Sequence, residues 1–507
     1  MPHLYFIGFA LIVIGLSLGV FLISLGTFIA LGAWIIDALL TDFSFAFKFK
    51  KFFAKKGLVF IVCIFLIHVL GLIFTQDFDY ALKDLRIKLP LLALPIIMAG
   101  APNLKQSGRE WLIKVFILSL FVSSLISFYV IFTERPADLR VAMLFSSHIR
   151  IGLMIALALF LIFHLWKNQG KIWKVLFVLI GSWLIYFLYK AQLTTGLMVF
   201  FIAALTLAVK WSISNWERGM SRILILGNLG IAVFVFVYFS ALRNSYFEAK
   251  DDLKSLEQLS PKGEKYIHNT ESTYRENGYR VDIYWAPKEI ESGWNKIANK
   301  GLNEKDDLGQ MIKSTLKRYM TSKGLRKDAS GLDSLTNVDI KNILSGKTNY
   351  LQDEWNPIQK RFNELAFEWT NYENRGNPSG NSLFMRTEFW KAGWSVFKSN
   401  FFFGTGSGDV RNEVLSEYER NGTLLTENYR YRIHNQYLTF AATFGVFGLL
   451  LLMAFLFYPV LFEKKTYIYF AFVLIWALSF LTEDTLETQV GATFYAFFSS
   501  FFLSARD

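Results

Sequence analysis

Residues 4–40 read LYFIGFALIVIGLSLGVFLISLGTFIALGAWIIDALL, an apolar stretch too long for one helix crossing about 30 Å of hydrocarbon. It is expected to fold as a hairpin that turns near Phe21 to Leu25. The start of the chain has neither a basic region nor a small-residue cleavage site, so Leu4 onward reads as a first span rather than a removed signal. The cluster Lys48-Phe-Lys-Lys51 with Lys55 and Lys56 follows, and basic clusters of this kind mark cytoplasmic turns.

Working outward from this stretch, further spans read as residues 57–74, 87–101, 112–132, 150–166, 174–189, 192–209, 223–241, 436–461, 466–482 and 489–503. The total is about twelve helices. Lys105 and Arg109, Lys167, Lys171 and Lys174, Lys210, Arg218 and Arg222, and Glu463-Lys464-Lys465 lie in the short turns. With the N-terminus inside, each basic turn falls on the cytoplasmic face, the long hydrophilic segment falls outside, and Ala505-Arg506-Asp507 ends inside. The expected fold is an all-α polytopic membrane protein. It has a transmembrane bundle over residues 1–241, a large outer loop over 242–433 and C-terminal transmembrane helices over 434–507.

Composition agrees. The chain is 53% hydrophobic and 17% aromatic, which excludes an ordinary soluble enzyme. The net charge of +12 invites a nucleic-acid reading, but its distribution argues against one. Leu242 to Ile433 holds 29 basic and 27 acidic residues, leaving 24 basic and 14 acidic in the rest, where the excess sits in short turns. That bias is topology, and no nucleic-acid partner is expected. The single cysteine, Cys63, lies in an apolar run, so no intramolecular disulfide can form. No mononuclear metal site has convincing ligand spacing, and no cofactor is expected.

Within the loop, Asp306 to Lys323 and Ile358 to Trp369 have helical spacing of apolar residues, so a mainly helical loop is expected, with disorder around Ser260 to Gly278. The block from Phe384 to Leu452 carries the chemistry. Arg386, Trp390, Trp394 and Phe397 share one helical face, the pattern of an amphipathic helix on a membrane interface. Phe403-Gly404-Thr-Gly406-Ser-Gly408-Asp409 either presents backbone N–H groups to a phosphate or simply turns the chain. It follows no strand and lacks a P-loop lysine, which favours the turn. Arg430-Tyr-Arg432-Ile-His434-Asn435-Gln-Tyr437-Leu438 then concentrates two arginines and a histidine at the start of a span. Position alone leaves two readings open: anchoring of the helix, or phosphate binding with proton transfer.

The block resembles the C-terminal signature of the O-antigen ligase/polymerase family of bacterial membrane glycosyltransferases. The residues that carry the resemblance are Arg386-Thr-Glu-Phe-Trp390, Gly404-Thr-Gly406, and His434-Asn435-Gln-Tyr437-Leu438 with Gly445 and Gly448. The span plan with one long, late outer loop matches as well. Departures from the pattern are Thr443 in place of an acidic residue, phenylalanines at 401 to 403 in place of a proline, and Leu193-Thr194-Thr195-Gly196 where the family has Ser-Arg-Thr-Gly. Lys190, one turn upstream of the last, is the substitute cation.

The resemblance implies an O-antigen ligase-like, metal-independent enzyme of lipopolysaccharide biosynthesis in the bacterial inner membrane, working on the periplasmic side. It moves a glycan from undecaprenyl diphosphate to an acceptor hydroxyl, either lipid A core or another glycan, beside membrane lipid. His434 is the implied base, oriented by Asn435 or Tyr437, and Arg386, Arg430, Arg432 and Arg150 are the implied diphosphate holders. Glu483, near the last outer turn, is a further site member, with His148 behind it and His68 read as a helix–helix hydrogen-bonding residue. A polymerase or protein O-oligosaccharyltransferase shares the signature. From another class, a transporter of polyprenyl-linked glycan would also place basic residues in a membrane cavity, but with internal repeats that this chain does not show.

Overall fold

In the computed structural model, which describes residues 2–40, 44–134 and 139–505, the first apolar stretch turns at Gly19, not at Phe21 to Leu25. Gly19 has φ +145°, a conformation only glycine adopts without strain. It separates helix α1 (Pro2–Leu18) from α2 (Val20–Leu40), and Gly8, Gly15 and Gly26 let the two backbones approach closely. The short α3 (Phe45–Phe53) carries Lys48 to Lys51 and leads into α4 (Lys56–Leu70). Then come α5 (Phe78–Gly100), α6 (Gln106–Glu134), α7 (His148–Leu165), α8 (Lys171–Lys190), α9 (Thr194–Ser214) and α10 (Gly219–Phe247).

Among the described residues, eight helical segments are long and apolar enough to cross a membrane, and α1 is a shorter apolar helix. Two more short ones, α19 (Tyr467–Phe480) and α20 (Gln489–Leu503), lie near the C-terminus. The expectation was about twelve spans. The difference lies in these shorter helices and in α5, which starts nine residues before the expected span and bears Asp79, Lys83, Asp84, Arg86 and Lys88 in its first half. Arg506 and Asp507, read from the sequence as part of an inside end, lie outside the described residues.

The chain groups into two compact units, and their division differs from the expected boundaries. One contains Met1–Ile225, Arg386–Thr423 and Arg430–Asp507, and the other Leu226–Met385 with Leu424–Tyr429. The last part of the 242–433 segment therefore groups with the apolar helices.

The second unit has its own core of Trp285, Ile290, Trp294, Ile312, Leu316, Tyr319 and Met320. It is built on α11 (Pro287–Ile297), α12 (Ile312–Ser322), α13 (Ala329–Asp333), α14 (Asn337–Leu344) and α15 (Pro357–Arg375). The last begins with Pro357 in its first turn, is capped reciprocally by Asn356 and Gln359, and ends at Gly376 with φ +65°. Residues 260–278, expected to be disordered, are ordered. Leu259 bridges Lys265, Ile267 bridges Trp285, and β1 (Arg275–Glu276) pairs antiparallel with β2 (Tyr279–Arg280).

In the first unit, α16 (Ser382–Ser399) buries Phe389, Ala392, Gly393, Val396 and Phe397. Trp394 is 53% exposed, so the buried stripe is rotated by about one residue from the expected tryptophan face. Next come α17 (Val410–Arg420) and α18 (Gln436–Tyr458). α18 is broken at Gly445, where φ is +66° and ψ −162°.

The break strands carbonyl groups in an apolar setting, where each must find an internal donor. The segment 401–409 supplies the donors. Thr405 N–H donates to Ala442 O at 3.1 Å and Gly406 N–H to Thr443 O at 3.0 Å, while Val446 N–H donates back to Phe401 O at 2.8 Å. The other side of the segment grips the end of α4. Ser407 Oγ donates to His68 O at 2.6 Å, Gly408 N–H to Thr75 Oγ1 at 3.1 Å, and the Asp409 carboxylate accepts from Gln76 and Asp77 N–H, both at 2.8 Å. The glycine cluster is therefore a wedge between two helices, and the N–H groups of Thr405, Gly406 and Gly408 are already engaged. That disposes of a phosphate nest.

A Cβ on Gly445 would lie 2.1 Å from Phe402 O, in a backbone region closed to other residues. Gly445→Ala is expected to destabilise the protein by about 3 kcal/mol or more. Gly108→Ala in α6, where an added Cβ meets nothing within 4 Å, should be neutral or mildly stabilising. Thermal melts of the two purified variants in detergent check both.

Candidate active site

α18 starts from a strained residue. Asn435 caps the helix, its side-chain oxygen accepting from Leu438 N–H at 3.0 Å, and its amide donates to Leu481 O at 3.0 Å. The cap fixes the preceding residue, His434, in the left-handed region at φ +52°. A β-carbon there costs about 1–2 kcal/mol, and such positions cluster at functional sites. Ile433 is buried against Gly393 of α16, and the Phe389 ring, one helical turn earlier, lies 5.6 Å from the His434 ring.

The orienting groups are not those expected. Asn435 is used as the cap, and the Tyr437 hydroxyl donates to Ala477 O at 3.0 Å. His434 Nδ1 instead faces the loop between α19 and α20, 3.4 Å from Glu483 and 3.8 Å from Asp484. Arg386 pairs with Glu483 at 2.8 Å, and Arg432 Nε lies 3.2 Å from Asp484. Arg150 donates to Ser147 Oγ at 2.7 Å, and its buried Nε has no partner among the described residues. Arg430 is 3.5 Å from Glu419. Lys190 is exposed at the end of α8, 5.9 Å from the Tyr186 ring, and lines no part of the cavity described next.

A cavity of about 650 Å³ opens beside His434, with Arg430, Arg432, Asp484 and Glu487 on its wall. α4 and α5 contribute His68, Lys83 and Asp84. Sequence reasoning missed the ionic group behind this wall. Lys88, with no exposed surface, binds Asp84 one turn upstream and reaches Glu487 at 2.6 Å. Gln436 donates to the same Glu487 at 3.0 Å and accepts from Leu486 N–H at 2.9 Å. His68, expected to hydrogen-bond between helices, instead turns Nδ1 to Ile64 O of its own helix at 2.6 Å; its Nε2 sits 3.7 Å from Asp84 of α5, and the residue also lines the cavity. A lysine inside an apolar run, with a carboxylate four residues before it, was the available signal.

The loop carboxylates are pushed in opposite directions. Burial drives the Glu483 pKa upward, but the His434 hydrogen bond and charge, with Arg386 and Arg150, outweigh it and hold Glu483 below the ordinary glutamate range. For Asp484 burial wins over Arg432 and His434, and the pKa is raised. Glu487 is buried too, yet Lys88 above all keeps it well below its usual value. Neighbouring carboxylates with diverging pKa values are a feature of acid–base sites.

His434, Glu483 and Asp484 also bring one possible ligand atom each within 4.8 Å of one another, the single such group among the described residues. Arg386 and Arg432 already occupy the two carboxylates, so a cation would have to compete with both.

The fold and this site define a multi-pass membrane protein with a buried ionic centre beside a cavity at the head of a broken helix. Residues 343–453, which hold Arg386, the glycine wedge, His434 and Gly445, match the family model Wzy_C, described as O-antigen ligase. The match covers that segment, less than a quarter of the chain, and supports membership of the O-antigen ligase family of membrane glycan-transferring enzymes. No curated protein matches the chain.

Glu483 titrates lower in the folded chain than in the unfolded one. Its ion pairs therefore contribute stability at and above the unfolded value of about 4.3 and lose it as pH falls through the lower folded value. Glu483→Gln is expected to melt below wild type at pH 7, with the gap shrinking as pH falls below the unfolded value of about 4.3. A series of melts across that pH range measures the gap.

Proposed function

We propose that the protein is an O-antigen ligase-like glycosyltransferase that moves a glycan from undecaprenyl diphosphate to an acceptor hydroxyl, lipid A core in the first instance, at the periplasmic face of the bacterial inner membrane. The observation that carries this is His434. It is strained, lies within the family-matched segment, borders the cavity, and turns Nδ1 toward two carboxylates. A proton on Nδ1, donated to Glu483, leaves Nε2 as the accepting nitrogen. The acceptor oxygen forms a bond to the anomeric carbon as its proton passes to Nε2. The bond from that carbon to the diphosphate oxygen breaks, and the lipid diphosphate leaves with the electron pair.

The leaving group is already a stable anion, so nearby cations suffice to stabilise the developing charge. Arg430 and Arg432 border the cavity and are suited to that task. Arg386 and Arg150 act through Glu483, keeping it ionised opposite the histidine. Asn435 sets the histidine's backbone through the helix cap, and Tyr437 fixes α18 against α19.

His434→Ala is expected to reduce glycan transfer by the purified protein roughly 100-fold or more, the usual contribution of a positioned base. Transfer at the wild-type rate would remove His434 from that role. Because Arg386 and Arg432 already pair with Glu483 and Asp484, turnover is expected to be unchanged by EDTA; loss restored by a divalent cation would instead make the histidine trio a metal site. In cells, loss of all glycan from lipid A core on deletion identifies a ligase, whereas single-repeat glycan on core identifies a polymerase.

A further inference from the structure

The cations on the cavity wall are not equivalent. Arg432 lies 3.2 Å from Asp484 and Arg430 lies 3.5 Å from Glu419, and Lys88 behind the wall is held between Asp84 and Glu487. Lys83 of α5 and Arg411 of α17 border the same cavity from two different helices. Neither forms a hydrogen bond or ion pair with any described residue. A third group on the wall also lacks a partner. Thr439, only 9% exposed, has a buried hydroxyl without a hydrogen bond among the described residues.

Two unneutralised cations and an unsatisfied buried hydroxyl around one cavity call for a ligand with several anionic oxygens. Arginine meets a phosphoryl group with paired N–H donors, lysine as a point charge, and a threonine hydroxyl as one further donor. We infer that Lys83 and Arg411, with Thr439, form the binding site for the diphosphate of the lipid-linked donor, whereas Arg386 and Arg432 chiefly hold the carboxylates around His434. This assignment rests on the proposed function and reallocates its binding residues. Lys83 and Arg411 grip the diphosphate before and after transfer, so they govern donor affinity more than the chemical step.

The test is equilibrium binding of radiolabelled farnesyl diphosphate to the purified full chain in neutral detergent, with inorganic diphosphate and phosphatidylglycerol as competitors. Both side chains are exposed, so Lys83→Met and Arg411→Met should melt as wild type does. Each is expected to weaken binding about tenfold, and the pair about 100-fold, with Lys83→Arg retaining affinity. In transfer assays the donor KM should rise while kcat changes little, whereas His434→Ala should bind farnesyl diphosphate normally and fail to turn over. Wild-type affinity in both Met variants would overturn the inference and leave the proposed function standing. Displacement by phosphatidylglycerol as effective as by diphosphate would overturn it in favour of a phospholipid headgroup site. Absence of farnesyl diphosphate binding to the wild-type protein would overturn the proposed function along with it.

Discussion

A helix broken in an apolar environment leaves carbonyl groups that water cannot satisfy, and the rest of the first unit is arranged around that constraint. At Gly445 the donors come from the chain at 401–409, whose outer edge simultaneously hydrogen-bonds the end of α4. One short segment thus fixes α18 relative to α4. His434 stands at the head of α18 and His68 near the end of α4, so the same wedge sets the width of the cavity between them. The glycines are required because backbone meets backbone. A Cβ on Gly404 would lie 2.2 Å from the Thr443 carbonyl group, and one on Gly408 2.1 Å from Asp77 O.

Charge imposes the second constraint. A buried carboxylate or ammonium is tolerated only when paired, and breaking such a pair costs more than forming it yields. Three carboxylates of one loop, Glu483, Asp484 and Glu487, are each matched to a cation from a different element: Arg386 of α16, Arg432 of the segment entering α18, and Lys88 of α5. The loop is therefore pinned at three points. Such a loop does not have to reorganise when charge develops beside it, which is what electrostatic catalysis needs. The pairing also explains the opposite behaviour of adjacent acids, since Glu483 has several positive neighbours and Asp484 is more deeply buried with fewer.

Membrane spans were legible because their signal is local: run length and basic turns require no knowledge of neighbours. The helices α12 and α15 were legible for the same reason, through apolar spacing. The turn at Gly19 was misplaced because apolarity alone does not distinguish a helix from the glycine that interrupts it. Order in 260–278 was missed because it depends on isolated bridges to Trp285 and on β1–β2, all set by long-range packing. At the site, the aromatic and basic residues were visible as a block, but their partners were not. Nothing in the local pattern says that Arg386 meets Glu483 across 97 positions, or that Lys88 meets Glu487 across 399. Arginines that look free in sequence read as substrate-binding, whereas the fold sets three of them, Arg386, Arg430 and Arg432, against carboxylates.

The strain at His434 follows from these same contacts. Asn435 must be extended to cap α18, and Ile433 must enter the notch that Gly393 leaves in α16, so the residue between them takes the left-handed conformation. Glycine or asparagine would adopt it more easily. A histidine held there is stabilised from several sides, by Glu483, Asp484 and the Phe389 ring, and its imidazole is thereby confined to one orientation at the cavity edge. Confinement of that kind reduces the entropy lost when a base meets its proton donor. The backbone strain and the ordered ring are thus two results of one arrangement, the helix cap on one side and the buried isoleucine on the other.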